Sequence, residues 1–338
     1  MRRPAARVAL LLGACLLPRL AGAEPAPPPA RLQLYVMPDT QSWAWNQGGT
    51  TLEIWRSVAK ALCRERERFA MVLHTGDLVD QHRLRPFEWK NALSVMQELD
   101  ACRMPYAIAF GNHDFDNYPA AQNVPPAGDR GWRQVLAQLA HRPAETGPSG
   151  RSALHPLAPG WFVVTADFTP SRADRDWLAG VIEKHSDARF VLLNHHCVRA
   201  VGPAPGRAFE WCRQLVGRNP GIRIAVSGHW LGATRDGWKE VPRANGPPLV
   251  ALYQNYQHIP ELAAWGVVIE LDPASGAVCV WSENLLDGAV THPATSSPEL
   301  GKIAAAPAKR CFEASAAPSS PVHGGAQPRG STAGSVGP

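Results

Sequence analysis

No two cysteines in these 338 residues are spaced Cys-x-x-Cys, which argues against a zinc ribbon. Beyond residue 23 no stretch is long and apolar enough to form a membrane-spanning helix. No internal repeat is visible, so a stacked-repeat architecture is not indicated. Surplus charge is lacking as well. The formal net charge is +5, but Arg2, Arg3, Arg7 and Arg19 supply four positive charges within residues 1–23, where no acid offsets them. The remainder is close to neutral and gives no argument for a nucleic-acid partner.

What is present begins with residues 1–23, which read as a removable export signal. Arginines form the basic start, 8–17 the apolar stretch, and Ala21-Gly22-Ala23 a small-residue cleavage site. Leu12-Gly13-Ala14-Cys15 faintly resembles a lipoprotein box, although the apolar run continues past it. Removing the signal leaves six of the seven cysteines: Cys63, Cys102, Cys197, Cys212, Cys279 and Cys311. In an exported chain some of these pair. Cys63 with Cys102, or Cys197 with Cys212, would each link adjacent elements, but spacing does not fix the connectivity. Residues 24–30 form a Pro/Ala-rich lead-in, 31–292 a single domain, and 293–338 a low-complexity tail expected to be disordered.

The domain is organised around Ala70-Met71-Val72-Leu73-His74-Thr75-Gly76-Asp77-Leu78-Val79-Asp80. A short apolar run bounded by turn residues reads as a buried strand of a parallel sheet. Gly76 permits a sharp turn at its end and leaves Asp77 in the crevice beyond. Four other apolar runs end in the same way. Residues 31–37 lead to Asp39, 104–110 to Gly111-Asn112-His113-Asp114, 190–193 to Asn194-His195-His196, and 222–226 to Ser227-Gly228-His229. Strand C-termini of an open α/β sheet converge on one crevice. Charged groups are seldom buried there unless paired or bound to a cation. Asp39, Asp77, Asn112, His195 and His229 therefore form a candidate shell of oxygen and nitrogen donors.

Helices are expected at 51–68, 87–101, 132–141 and 171–185, between the strands. Strands at 248–253, 264–271 and 277–281 follow, the last two joined by a hairpin turn at 272–276, and these are expected to form an antiparallel second sheet. Strand-helix alternation followed by a strand cluster predicts an α/β protein, a two-sheet α/β/β/α sandwich with helices outside.

The ordered blocks Asp-x-x, Gly-Asp-x-x-Asp, Gly-Asn-His-Asp, His and Gly-His resemble the calcineurin-like metallophosphoesterase superfamily over roughly 31–285. The resemblance implies a phosphoester substrate, divalent metal ions (manganese, iron or zinc), and hydrolysis by metal-activated water. It implies that Asp77 bridges two ions, that Asn112, His195 and His229 complete one position, and that Asp39 serves the other. His113 would protonate the leaving group, with Asp114 orienting it; Asp80 would be structural or would support the residues that touch the metals from just outside them. His195 and His196 are adjacent, so either could be the ligand, and motif position favours His195. Trp43, Trp45, Trp89 and Trp230 sit near motifs, where packing and a substrate mouth are both open readings.

Two departures stand out. The family pattern has Asp-x-His where this chain has Asp39-Thr40-Gln41, and Gly-His-x-His where it has Gly228-His229-Trp230-Leu231. Gln41 can offer an amide oxygen to a metal; Leu231 offers nothing. An asymmetric centre is expected, with one tight ion and one loose or absent. The alternative is a catalytically weak or inactive binding module on the same fold.

Overall fold

A computed structural model describes residues 31–313 apart from 46–49, 81–84, 116–136, 200–201, 204–206, 231–235 and 298–300. The export signal with Cys15, the lead-in, Leu231 and residues 314–338 lie outside the described residues, as does the first half, 132–136, of the helix expected at 132–141. In chain order the elements are β1 (Leu32–Met37), α1 (Gln41–Ala44), α2 (Thr51–Arg64), β2 (Phe69–His74), α3 (Phe87–Ala101), β3 (Tyr106–Ile108), β4 (Glu145–Thr146), β5 (Ala153–Ala158) and β6 (Trp161–Thr165). Then come α4 (Arg172–Lys184), β7 (Arg189–Leu193), β8 (Val198–Arg199), β9 (Gly202–Pro203), α5 (Arg207–Arg218), β10 (Ile222–Ser227), β11 (Asp236–Val241), β12 (Leu249–Gln254), β13 (Trp265–Leu271) and β14 (Val278–Asn284), and last the short β15 (Thr295–Ser297), β16 (Gly301–Ile303) and β17 (Arg310–Phe312).

Two mixed sheets pack face to face with helices on their outer sides. The first has the order β17-β14-β13-β1-β2-β3 and the second β11-β12-β10-β7-β6-β5-β4. Successive side chains on a strand point to opposite faces, and the first sheet divides accordingly. Leu34 and Val36 of β1, with Leu73 of β2, enter an inner core that also holds Val191, Leu193, Ile224 and Val226 of the second sheet. Tyr35, Met37 and Val72 face the other way, into an outer core with Trp55 and Leu62 of α2 and Val95 and Leu99 of α3. The outer face of the second sheet repeats the pattern, with Val164, Leu192 and Ala225 against Leu178, Ile182 and Leu215 of α4 and α5. Each such aliphatic side chain stabilises the fold by about 1.5–3 kcal/mol. Ser171 caps α4 as its sequence suggests, its side chain accepting from the Asp174 N–H.

Two expectations are corrected. The strands after 248 do not form a sheet of their own. β12 is buried along its whole length and lies parallel to β10 in the second sheet, whereas β13 pairs antiparallel with β1 in the first. The intervening β11 runs antiparallel to β12, so β10 and β12 become parallel neighbours without a crossover helix. The domain also runs past 292. β17 pairs with β14, its Cys311 is bonded to Cys279, and Phe312 is buried in the inner core. The Ala/Pro-rich composition before it conceals this last strand. Cys63–Cys102 and Cys197–Cys212 are paired too. No helix among the described residues is long and apolar enough to cross a membrane.

Candidate metal centre

Strands β1, β2 and β3 are parallel in one sheet, and β6, β7, β10 and β12 in the other. Their C-terminal ends meet at one rim of the sandwich, and side chains from both sheets interlock there. The Asp77 carboxylate receives the backbone N–H of His113 on Oδ1 at 3.0 Å, and its Oδ2 lies 3.1 Å from Nε2 of His195. His195 Nδ1 is 2.9 Å from the Thr75 carbonyl. A carbonyl only accepts, so Nδ1 carries a hydrogen and Nε2 is the nitrogen left facing the centre. Nδ1 of His229 stands 3.2 Å from that same Nε2. One donor atom from each of Asp77, His195 and His229 lies within 4.8 Å of the other two.

The backbone is shaped to permit this approach. Gly76 has φ +108°, and a Cβ there would sit 2.7 Å from His195 Nδ1 and 2.9 Å from the Gly111 N. A Cβ on Gly111 would overlap the Asp77 carboxylate, and one on Gly228 the Asp39 carboxylate. Asp77 and His229 themselves adopt φ +50° and +64°. Non-glycine residues rarely tolerate this region, and such strain collects at functional sites.

Asp39 is fully buried. It accepts from Thr75 Oγ1 at 2.7 Å and from the His229 N–H at 2.8 Å, tying the ends of β1, β2 and β10 together. Asn112 is buried, and its Oδ1 has no hydrogen-bond partner. Leaving a buried acceptor unsatisfied costs about 1–3 kcal/mol. Gln41 lies two residues beyond Asp39; its Nε2 donates to Gln257 Oε1 and its own Oε1 is likewise unpartnered.

The electrostatics draw positive charge to this point. Burial disfavours a charged His195, yet the Asp77 and Asp39 carboxylates outweigh it and hold its pKa up at about 9. His229 is pushed down to about 3, by burial and then by the positive His195 beside it. Burial lifts Asp39 to about 7 against the pull of His195. Burial would lift Asp77 too, but His195 and His113 keep it well below the usual carboxylate range. Buried carboxylates and two imidazoles at contact distance fit a divalent cation, and the orphaned amide oxygens of Asn112 and Gln41 lie in segments that follow strands ending at the same rim.

His113 contacts Asp80 rather than Asp114. Its Nδ1 is 3.0 Å from Asp80 Oδ1 and 3.1 Å from the Asp80 carbonyl. Burial would lower its pKa, but Asp77 and Asp80 raise it to about 9. Asp114, expected to orient His113, spends its carboxylate on backbone instead. Oδ1 takes the N–H groups of Leu78 at 2.7 Å and Val79 at 3.3 Å, and Oδ2 takes that of Gly111 at 2.9 Å. The tight 3-10 turn at Asn112–Asp114 directs Asp114 back against the chain, where it clamps the loops after β2 and β3. The carboxylate contact expected between His113 and Asp114 is therefore made with Asp80 instead.

His195, not His196, stands in the three-residue cluster. The His196 ring lies 4.8 Å from that of His229 and stacks on Trp230 at 5.2 Å. Trp43 and Trp89 are packed in the outer core, and Arg85 lies over the Trp45 ring at 3.7 Å. Two further strand ends reach the rim without having been singled out from sequence. Phe168, after β6, touches the rings of His195, His196 and His229 at 5.2–5.8 Å. Gln257, after β12, meets Gln41. The signal was available, since 161–166 ends in Asp167 and 249–253 in Gln254-Asn255. A cavity of about 560 Å³ adjoins the end of β3, with Tyr106, Phe110, His155 and Arg151 in its wall.

Comparison with known proteins agrees with this geometry. The family model for calcineurin-like phosphoesterase matches residues 33–232. Among curated proteins the chain is similar to the uncharacterized protein YvnB of Bacillus subtilis (strain 168), at 25% identity over 212 residues, covering 56% of this chain and 15% of that protein. The chain thus spans only a small part of that relative's length. Among solved structures it resembles a dimetal phosphatase from Danio rerio, with a TM-score of 0.56, 14% identity, and coverage of 84% of this chain and 99% of the other. It also resembles purple acid phosphatase PPD1 from yellow lupin (Lupinus luteus) seeds, with a TM-score of 0.55, 15% identity, and coverage of 77% and 52%. At these identities the structural likeness is one of fold.

Proposed function

The chain belongs to the calcineurin-like phosphoesterase family, and on that premise we propose that it is an exported, metal-dependent phosphoesterase acting on a phosphomonoester or phosphodiester. The observation that carries this reading is the meeting of Asp77, His195 and His229, drawn from both sheets, with donor atoms within 4.8 Å of one another. Asp77, Asn112, His195 and His229 would hold one ion, and Asp39, Gln41 and Asp77 a second, weaker one. Ions bound there would supply Lewis acidity toward the phosphoryl oxygens and an activated water.

The chain's own groups would do the rest. His195 is fixed in the ligating tautomer by Thr75, the kind of outer contact that sets ligand orientation. His113 is assigned as general acid, protonating the leaving oxygen. Its Nδ1 is committed to Asp80, so Nε2 is the nitrogen that would donate. Phe168, packed against all three histidine rings, would keep water from one side of the centre. Export is supported by the pattern of residues 1–23 and by three cysteine pairs, a usage typical of oxidising compartments.

The test is hydrolysis of p-nitrophenyl phosphate and bis-p-nitrophenyl phosphate by the metal-stripped protein, with and without added manganese. Metal-dependent turnover of either ester supports the reading. Bound metal without turnover on a broad panel of phosphomonoesters, phosphodiesters and nucleotides would favour the binding module that Gln41 also allows.

A further inference from the structure

Where the family pattern has an imidazole, this chain has Gln41, and the structure gives that residue a dedicated partner. Gln41 is 3% exposed and Gln257 7%. The Gln41 Nε2 donates to Gln257 Oε1, and Gln41 Oε1 is buried with no partner. A primary amide has one oxygen and one NH₂, so engaging the NH₂ fixes which end remains for a ligand. The segment carrying Gln257 is itself firmly held. The Gln257 N–H donates to Asn255 Oδ1 at 3.0 Å, the His258 N–H to Ser42 Oγ at 3.2 Å, and the Tyr256 hydroxyl to Asp236 Oδ2 at 2.7 Å. Two consecutive residues after β12 are thus bonded to the first two residues of α1.

We propose that Gln257 is a positioning residue that holds the Gln41 amide oxygen ready as a ligand, making the second, Asp39–Gln41–Asp77 ion position an all-oxygen site selective for a hard cation such as Mn²⁺ or Mg²⁺. The inference rests on the metal-centre reading above. Its donors would be Asp39, Asp77 and Gln41, all oxygen, whereas the other position has the imidazoles of His195 and His229. Oxygen donors suit magnesium, manganese and calcium; imidazole suits zinc and iron. The exchange of imidazole for a latched amide would therefore give the two positions different metal preferences rather than abolish one of them.

The experiment is an electron paramagnetic resonance titration of Mn²⁺ into protein preloaded with one equivalent of Zn²⁺. Wild type is expected to bind one Mn²⁺ and to keep its zinc. Gln257→Leu should weaken Mn²⁺ about tenfold or more, the usual effect of losing an outer orienting contact, with zinc content unchanged and the fold retained, although the orphaned Gln41 NH₂ lowers the melting temperature. Gln41→Leu should weaken it at least as much, and the double variant no further than Gln41→Leu alone. Gln257→Glu, which still accepts from Gln41, should restore most of the affinity. Wild-type Mn²⁺ affinity in Gln257→Leu, or losses that add in the double variant, would overturn the proposal while leaving the metal centre standing. Failure of the wild type to hold zinc would remove the metal-centre reading and this inference with it.

Discussion

The Asp77 carboxylate lies 3.1 Å from Nε2 of His195, although β2 and β7 place the two residues in different sheets. A buried acid and a buried imidazole lone pair at that distance need a positive charge between or upon them. A bridging ligand that serves both ion positions is the most exposed to loss of charge. Asp77→Asn should therefore lower metal content at least about 100-fold, above the range for outer contacts. Elemental analysis after dialysis reads this out, and full loading in the variant would show that the bridge is elsewhere.

The division of labour between Asp80 and Asp114 gives a second test. His113→Ala should reduce kcat by about 10²–10⁴-fold with metal content unchanged. Asp80→Asn should follow it more weakly, and most clearly on esters with poor leaving groups, which need the proton. Asp114→Asn leaves the His113–Asp80 contact in place but sets an NH₂ against backbone donors, and should cost about 1–3 kcal/mol of stability. Paired kinetics and thermal melts on the three variants separate these outcomes. A kcat loss in Asp114→Asn with unchanged melting would return the orienting role to that residue.

Much of this centre was readable in advance because its logic is local. An apolar run followed by Gly-Asp, Gly-Asn-His-Asp or Gly-His announces a buried strand and a polar end, and Asp77, His195 and His229 met as expected. What could not be read depends on direction and on distance along the chain. Asp114 adjoins His113 in sequence and Asp80 precedes it by 33 residues, yet the 3-10 turn leaves the ring facing the more distant carboxylate. Gln257 is 216 residues from Gln41, and no pattern near either residue announces their pairing. The sheet to which 249–254 belongs turned on the antiparallel β11 before it, and β17 was hidden in an Ala/Pro-rich segment.

That hidden strand carries its own prediction. Cys279–Cys311 closes a loop of 32 residues and holds β17 on the edge of the first sheet. Replacing both cysteines with serine should cost about 2–4 kcal/mol and leave metal content unchanged, since the strand lies at the far side of its sheet from β2. Denaturant unfolding of the double variant measures it. Unaltered stability would mean that β17 is held by packing alone.

His155 supplies an acid-sensitivity test away from the centre. Burial, then the nearby His141, push its pKa down to about 3, against about 6.5 in the unfolded chain. The folded state excludes a proton that the unfolded state binds. Its contribution is therefore complete above pH 6.5 and is lost as pH falls toward 3, at up to about 1.4 kcal/mol per pH unit. His155→Phe should lose about 2 kcal/mol less than wild type between pH 7 and 4.5. Equal losses in the two proteins would place the acid sensitivity in other groups.

The central claim, that strand ends from two sheets gather around a cation, is tested most directly by anomalous diffraction from crystals grown with zinc or manganese. The account predicts an anomalous peak bounded by Asp77 Oδ2, His195 Nε2 and His229 Nδ1, at about 2.0–2.3 Å from each. A fully loaded crystal with no peak among those three atoms, or with its ion bound elsewhere, would contradict it.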